Sequence, residues 1–348
     1  MYEKFMKRAI EIAKKGLGRV NPNPPVGAII VKNGKIISEG FHPYFGGPHA
    51  ERVAIERAKK KEMDLAGATL IVTLEPCDHH GKTPPCTDLI IESGIKEVVV
   101  GMRDPNPVSG KGIEKLKKHG IKVIEGVLEN EVKKLCEFFI TSVTKKRPFI
   151  AIKYASTLDG KIADANGKSK WITHRLRPRV HKLRNFYSAV LVGAGTVLKD
   201  NPRLTCRTKN GRNPIRVVLD RKGILSEKNF KVFEKNARVI VFTQNERAKY
   251  PEHVEKVITD CSVETILKTL HEKGVDSLLV EGGSDVFSEF LKYADVIYAF
   301  YSTKIFGKGL DVFSNVQFSV EEPPRFEIAR VKTSDTEIFM ELRPCSQE

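Results

Sequence analysis

No stretch of the 348 residues is apolar for long enough to cross a bilayer, so no membrane partner is expected. The first ten residues, Met1 to Ile10, mix charged and apolar side chains and lack the apolar core of a signal peptide, which points to a cytoplasmic protein. Cysteine is sparse, with six in the whole chain, and Cys136, Cys206, Cys261 and Cys345 stand singly. That scatter excludes the disulfide framework of a small secreted domain and leaves a motif only around Cys77 and Cys86. Tryptophan occurs once, at Trp171. A long basic block is missing as well, although the formal net charge is +16. Lys and Arg alternate with Glu along the chain, so the basicity suits a phosphorylated small substrate without requiring nucleic acid.

What is present describes a soluble globular protein of two domains, with 41% hydrophobic and 29% charged residues. Helical spacing covers 2–15, and the loop 20–25 is stiffened by prolines. A hairpin follows from strands 26–32 and 35–40 around Asn33-Gly34. Ala50, Val53, Ala54 and Ala58 keep helical spacing, which puts His49 and Glu51 in the first turn of a helix. Strands at 68–74 and 96–101 flank a helix at 87–93, and further helices fall at 111–119 and 129–143. Lys145-Lys146-Arg147-Pro148 breaks the pattern, so the domains are expected to be 1–146 and 147–348.

His49, Cys77 and Cys86 are one imidazole and two thiols, a set that suits zinc. Three protein ligands leave a fourth tetrahedral position open for water, the mark of a catalytic site. Glu51, two residues past the histidine, is placed to handle that water's proton without binding the metal. An H-x-E followed by P-C…C is the pattern of zinc deaminases acting on nucleobases. Nine positions separate the cysteines, unlike the usual C-x-x-C. A structural zinc would need a fourth ligand, which His79 or His80 could supply. Asn23, fixed between prolines, either reads the edge of a base or simply caps a turn.

The second half alternates strands (149–155, 189–192, 215–219, 238–242, 277–280, 296–301) with helices, an α/β pattern with a largely parallel sheet. It closes on an antiparallel pair at 326–331 and 337–342. Gly193-Ala194-Gly195 begins like a dinucleotide fingerprint, but Leu198 occupies the third glycine position and a Rossmann reading fails. Gly282-Gly283 before a helix either admits a phosphate or serves a tight strand-to-helix turn. Lys153 interrupts an apolar strand, facing a cleft or solvent.

Asn21 to Gly27, His49-Ala50-Glu51 and the run Glu75 to Cys86 closely resemble the bifunctional deaminase/reductase family of riboflavin biosynthesis. The insert His79-His80-Gly81-Lys82-Thr83-Pro84-Pro85 is specific to it among related deaminases. The resemblance spans nearly the whole chain. It implies a cytidine-deaminase-like three-layer α/β/α domain followed by a dihydrofolate-reductase-like α/β domain, with Zn2+ and NADPH as cofactors and a phosphorylated pyrimidine as substrate. A homo-oligomer is the expected assembly. Carried over by motif, Asn23, His42, His79 and Lys82 would line the deaminase pocket, with Lys82 toward the substrate phosphate; read locally, Lys82 and His42 are loop residues. Ala155, Trp171, Thr196, Asp200 and the run from Gly283 and Ser284 to Glu289 would contact NADPH. Ser169, Arg184, Leu204, Arg207 and Glu281 would contact the reductase substrate. Lys153, Asp200 and Glu281 are candidates for positioning and proton transfer. One departure stands out: where the family often has a small hydroxyl residue after Asp220, this chain has Arg221-Lys222, which either removes a cofactor contact or offers basic residues to the 2′-phosphate of NADPH. The competing readings are an RNA-editing zinc deaminase with an accessory domain and a zinc-stabilised binding protein.

Overall fold

A computed structural model describes residues 2–79, 84–107, 111–169 and 175–345, which divide into two compact units, Met1–Lys146 and Arg147–Glu348. In chain order the first unit contains α1 (Tyr2–Ala13), β1 (Gly27–Lys32), β2 (Lys35–Phe41), α2 (Ala50–Lys60), β3 (Thr69–Leu74) and α3 (Cys86–Glu92). It continues through β4 (Glu97–Met102), α4 (Gly112–Lys118), β5 (Lys122–Ile124), α5 (Glu129–Leu135) and α6 (Glu137–Lys145). Its sheet runs β2-β1-β3-β4-β5, with β1 antiparallel to β2 and β3 and the pairs β3–β4 and β4–β5 parallel.

The layering follows from the two-residue period of the strands. Ala28, Ile30, Leu70, Val72, Val98 and Val100 pack on one face with α2, α3 and α4. Ile29, Val31, Ile71 and Val99 pack on the other with α1 and α5. A strand with both faces buried has no polar alternation to show, and β3 and β4 read as continuous apolar runs for that reason.

Two expectations change here. His49 is the extended residue that caps α2, so Glu51, and not the histidine, lies within the first turn. The single helix expected over 129–143 is two, α5 and α6, broken at Cys136. Cys136 is fully buried and its thiol donates to the Pro25 carbonyl, so packing against the proline loop outweighs helical continuity there.

The second unit comprises β6 (Phe149–Ser156), β7 (Lys161–Asp164), α7 (Arg177–Phe186), β8 (Ala189–Gly193), α8 (Ala194–Asp200), β9 (Ile215–Leu219), β10 (Val239–Thr243) and β11 (Val254–Ile258). It ends with α9 (Val263–Glu272), β12 (Ser277–Gly282), α10 (Ser284–Phe290), β13 (Val296–Ser302), β14 (Gly309–Asp311), β15 (Phe326–Ser334) and β16 (Glu337–Pro344). The large sheet runs β11-β10-β9-β8-β12-β6-β13-β16-β15, parallel from β11 to β13 and antiparallel at β16 and β15. β7 and β14 form a separate two-stranded ribbon. These two and β11 escape the sequence reading, because β7 and β14 are only four and three residues long and β11 has an alternating, half-exposed edge pattern. The strands β8, β12 and β6 lie side by side and deliver Gly193, Glu281-Gly282 and Lys153–Ser156 to one end of the sheet. The carboxyl ends of parallel strands are where such sheets build their sites.

Candidate functional sites

In the first unit β3 ends at Leu74 and passes Glu75 and Pro76 to Cys77, while Cys86 opens α3 and His49 caps α2. His49 Nδ1 lies 3.5 Å from Cys77 Sγ and 3.4 Å from Cys86 Sγ, and the three ligand atoms fall within 4.8 Å of one another. This is the one group of His, Cys, Asp and Glu among the described residues with the spacing to hold a metal ion. Two soft sulfurs and an imidazole nitrogen are the donors zinc prefers, so the residues fit the metal the motif implies. Glu51 is 4% exposed, and burial pushes its carboxyl up to about 7.

His49, Glu51 and Cys77 border a cavity of about 310 Å³ that Asn23, His42 and His79 also line, and Cys86 is fully buried. His42 Nδ1 donates to the Pro48 carbonyl at 2.9 Å, and Asn23 Nδ2 donates to His42 Nε2 at 3.2 Å. Burial holds the His42 imidazole below its ordinary pKa, consistent with the neutral ring these two bonds need. The Asn23 amide is thereby oriented, leaving its oxygen for a ligand donor. His79 Nδ1 is buried with no hydrogen-bond partner among the described residues, and the ring stands outside the metal-ligand group. Lys82 and His80 lie outside the described residues.

The sequence reading missed what holds this site together. Glu75 is buried, and its two carboxylate oxygens accept the N–H groups of Asp104 and Ile113, each at 3.1 Å. It therefore ties the loop after β4, with the cavity residues Asp104 and Asn106, to the strand that delivers Cys77. Lys115 Nζ bridges Asp78 and Asp88 at 2.6 Å each, and Thr87 Oγ1 donates to Asp78 at 3.0 Å. A Cβ at Gly112 would lie 1.8 Å from the Pro76 carbonyl oxygen, so only glycine lets α4 start against the cysteine loop.

The second unit holds a larger cavity, about 500 Å³, at the carboxyl ends of β6, β8 and β12. Lys153, Ala155, Ser169, Arg184, Thr196 and Asp200 line it. So do Leu204, Arg207, Glu281, Gly283, Ser284, Asp285 and Phe287, whereas Val286, Ser288 and Glu289 of the expected Gly283 to Glu289 run stand outside the lining and Trp171 lies outside the described residues. Lys153 thus faces a cleft. Arg184 grips Glu281 through two bonds, Nε to Oε1 at 2.6 Å and Nη2 to Oε2 at 2.8 Å, and Lys153 Nζ stands 3.9 Å from the same carboxylate. Burial alone would push Glu281 up, but Arg184's charge and hydrogen bonds and then Lys153 hold it below the usual carboxylate range. Burial pushes the Lys153 ammonium the other way, down, against the pull of Glu281. Ser169 Oγ donates to both oxygens of Asp200 at 3.4 Å.

A cofactor's fit is testable at Gly282 and Gly283. A Cβ on Gly282 would come 2.9 Å from Thr196 Oγ1, and Gly283 has φ +88°, a region that disfavours side chains. Bare backbone and a hydroxyl thus form a cradle that side chains would fill, as close approach of a dinucleotide requires. Arg221 lies away from the cavity lining: its guanidinium binds Glu289 through both terminal nitrogens and donates to the Cys261 carbonyl.

A His-Cys-Cys metal group beside a buried carboxylate in an α/β/α unit, joined to a unit with a cofactor-sized cleft, defines a zinc deaminase fused to a reductase. Residues 1–102 match the cytidine and deoxycytidylate deaminase zinc-binding region, and 148–340 match the RibD C-terminal domain. The riboflavin biosynthesis protein RibD of Aquifex aeolicus is 45% identical over 328 residues, 91% of each chain. A Thermotoga maritima crystal structure described as a diaminohydroxyphosphoribosylaminopyrimidine deaminase/5-amino-6-(5-phosphoribosylamino)uracil reductase is 75% identical, with a TM-score of 0.97 over 99% of each chain. RibD of Acinetobacter baumannii is 35% identical with a TM-score of 0.91, again over 99% of each chain. The chain belongs to the RibD family of bifunctional riboflavin-biosynthesis enzymes, with a zinc-dependent deaminase and an NADPH-dependent reductase. The RNA-editing reading is not favoured, since it leaves the reductase domain without a task. No helix among the described residues is long and apolar enough to cross a membrane.

Proposed function

We propose that the first unit, 1–146, hydrolyses the 2-amino group from a diaminopyrimidinone bearing ribosylamine 5′-phosphate. The second, 147–348, then reduces the ribosyl group of the product to a ribityl chain. The observation that carries this reading is the coexistence of the His49-Cys77-Cys86 group, whose His49 and Cys77 line one cavity with Glu51, and the Lys153-Arg184-Glu281 trio in the other. His49, Cys77 and Cys86 would hold zinc, which supplies the Lewis acidity that makes water a nucleophile near neutral pH. Glu51 takes the proton of the attacking water and delivers it to the departing amine, so that ammonia leaves neutral. Asn23 and His42 orient the pyrimidine edge, with His79 offering its unpartnered nitrogen.

In the second cavity NADPH supplies the hydride, and the chain supplies orientation and charge. Ala155, Thr196, Asp200, Gly283 and Ser284 would bind the cofactor. Lys153, Ser169, Arg184, Leu204, Arg207 and Glu281 would hold the substrate, where the cations attract its phosphate and the Glu281 carboxylate keeps Lys153 and Arg184 compensated before it binds. Lys82 and Trp171 keep the roles their motifs imply, and a homo-oligomer is the assembly we favour. The test is Glu51→Gln. Ammonia release should fall by at least about 10²-fold with zinc content unchanged, while the variant still oxidises NADPH when given the deaminated intermediate. Full deaminase activity would remove Glu51 from its role.

A further inference from the structure

α7 presents His181, Arg184 and Asn185 on one face, at spacings of three and four residues, and this face holds the loop 204–207. His181 Nδ1 and Arg184 Nη1 both donate to the Thr205 carbonyl oxygen, each at 3.2 Å. From the loop's side, the Cys206 thiol donates to the His181 carbonyl at 3.5 Å and the Cys206 N–H donates to Asn213 Oδ1 at 3.0 Å. The loop needs such holding. Leu204 is buried at φ +51°, a left-handed conformation that is unfavourable for any residue with a Cβ. Leu204, Arg207 and His181 border the same cavity.

We propose that His181 is a positioning residue of the reductase: through Nδ1 it holds the Thr205 carbonyl and so keeps Leu204 and Arg207 in the strained loop conformation that receives the substrate. This rests on the reading above that Leu204 and Arg207 contact the substrate. Arg184 shares the Thr205 carbonyl through Nη1, while its Nε and Nη2 hold Glu281. Burial, then the charges of Arg184, Arg207 and Arg177, hold the His181 imidazole below its ordinary pKa. A neutral imidazole has one N–H to give, and here the Thr205 carbonyl takes it.

Three substitutions separate the two ring nitrogens, since Asn places an amide nitrogen near the position of Nδ1, Gln reaches toward that of Nε2, and Leu supplies neither. His181→Leu should raise the reductase KM for the deaminated pyrimidine phosphate about tenfold while kcat stays within about threefold. NADPH affinity, read by fluorescence titration, should be unchanged, and deaminase activity of the same chain calibrates concentration. His181→Asn should stay within about threefold of the parent KM, and His181→Gln should behave like His181→Leu. The proposal is overturned if His181→Leu leaves KM unchanged, if KM and NADPH affinity worsen together, or if Gln rescues and Asn does not. Should His181→Leu fail to fold, the contrast between Asn and Gln still decides. Arg207→Gln separates the two layers. An unchanged KM in that variant defeats the substrate reading of the loop, whereas a raised KM there with a normal His181→Leu defeats the positioning inference alone.

Discussion

Glu281 offers a quantitative test of how the reductase cavity is balanced. Its side chain is 5% exposed and carries the one negative charge against Arg184 and Lys153, each 14% exposed. Glu281→Gln keeps the shape and one acceptor but leaves two buried cations uncompensated. Breaking a buried ion pair from one side costs about 3–5 kcal/mol, and the retained acceptor puts the expected loss near the lower end, about 3 kcal/mol. For a unit of this size that corresponds to a fall in melting temperature of roughly 6–12 °C. Calorimetry of the full chain measures it, together with NADPH oxidation at saturating cofactor. The pH dependence supplies a second signature. Glu281 is held below the usual carboxylate range in the folded protein, so its stabilisation is present above ~4.3, the ordinary glutamate value, and disappears as pH falls through the lower folded value. The gap between parent and variant should therefore be full at neutral pH and close on acidification. Adding Arg184→Met to Glu281→Gln should recover part of the loss, because one uncompensated cation is gone. A melting temperature within about 2 °C of the parent, or a gap that persists in acid, would refute the reasoning.

Two further outcomes follow from the deaminase unit. Gly112→Ala puts a methyl group 1.8 Å from the Pro76 carbonyl oxygen, so the cysteine loop must move. About 1–3 kcal/mol of destabilisation is expected, with zinc content and ammonia release falling together and the reductase unaffected; full zinc occupancy after gel filtration would contradict it. Asn23→Ala removes the amide that donates to His42 Nε2, and the deaminase KM should rise about tenfold with zinc retained, as steady-state ammonia assays would show.

The metal group was legible because zinc accepts few residue types, and an imidazole and two thiols at element ends announce themselves in any chain. The inner strands of the two larger sheets were legible because strands buried on two faces are dominated by apolar residues, as in the runs 70–72, 98–100, 189–192 and 278–280. The break at Cys136 was not, because helical spacing of Val132, Leu135 and Phe139 continues across it and the cause is a contact with Pro25, 111 positions away. Arg221 was ambiguous for a related reason: a basic residue after a strand suits a phosphate, and only the position of Glu289 shows that a carboxylate already occupies its fork.

The same asymmetry explains why supporting residues were the harder ones to find. Glu75 precedes the Pro-Cys pair and looks like part of the motif, yet its work is to accept two backbone N–H groups, those of Asp104 after β4 and Ile113 at the start of α4, 29 and 38 positions further along. His181 reads as one more polar residue on a basic helix until the Thr205 carbonyl is found against it. In each case the side chain binds backbone, and a backbone partner leaves no residue type in the sequence to recognise. Ligand sets are constrained by the chemistry of what they hold, so residue type and spacing expose them. Residues that aim such sets are constrained only by where the chain returns. In this chain the returning segments, 104–106 in one unit and 204–207 in the other, each bring cavity-lining side chains with them. On the positioning role proposed for His181, the residues that hold those segments would act on catalysis through the geometry of the loops they fasten.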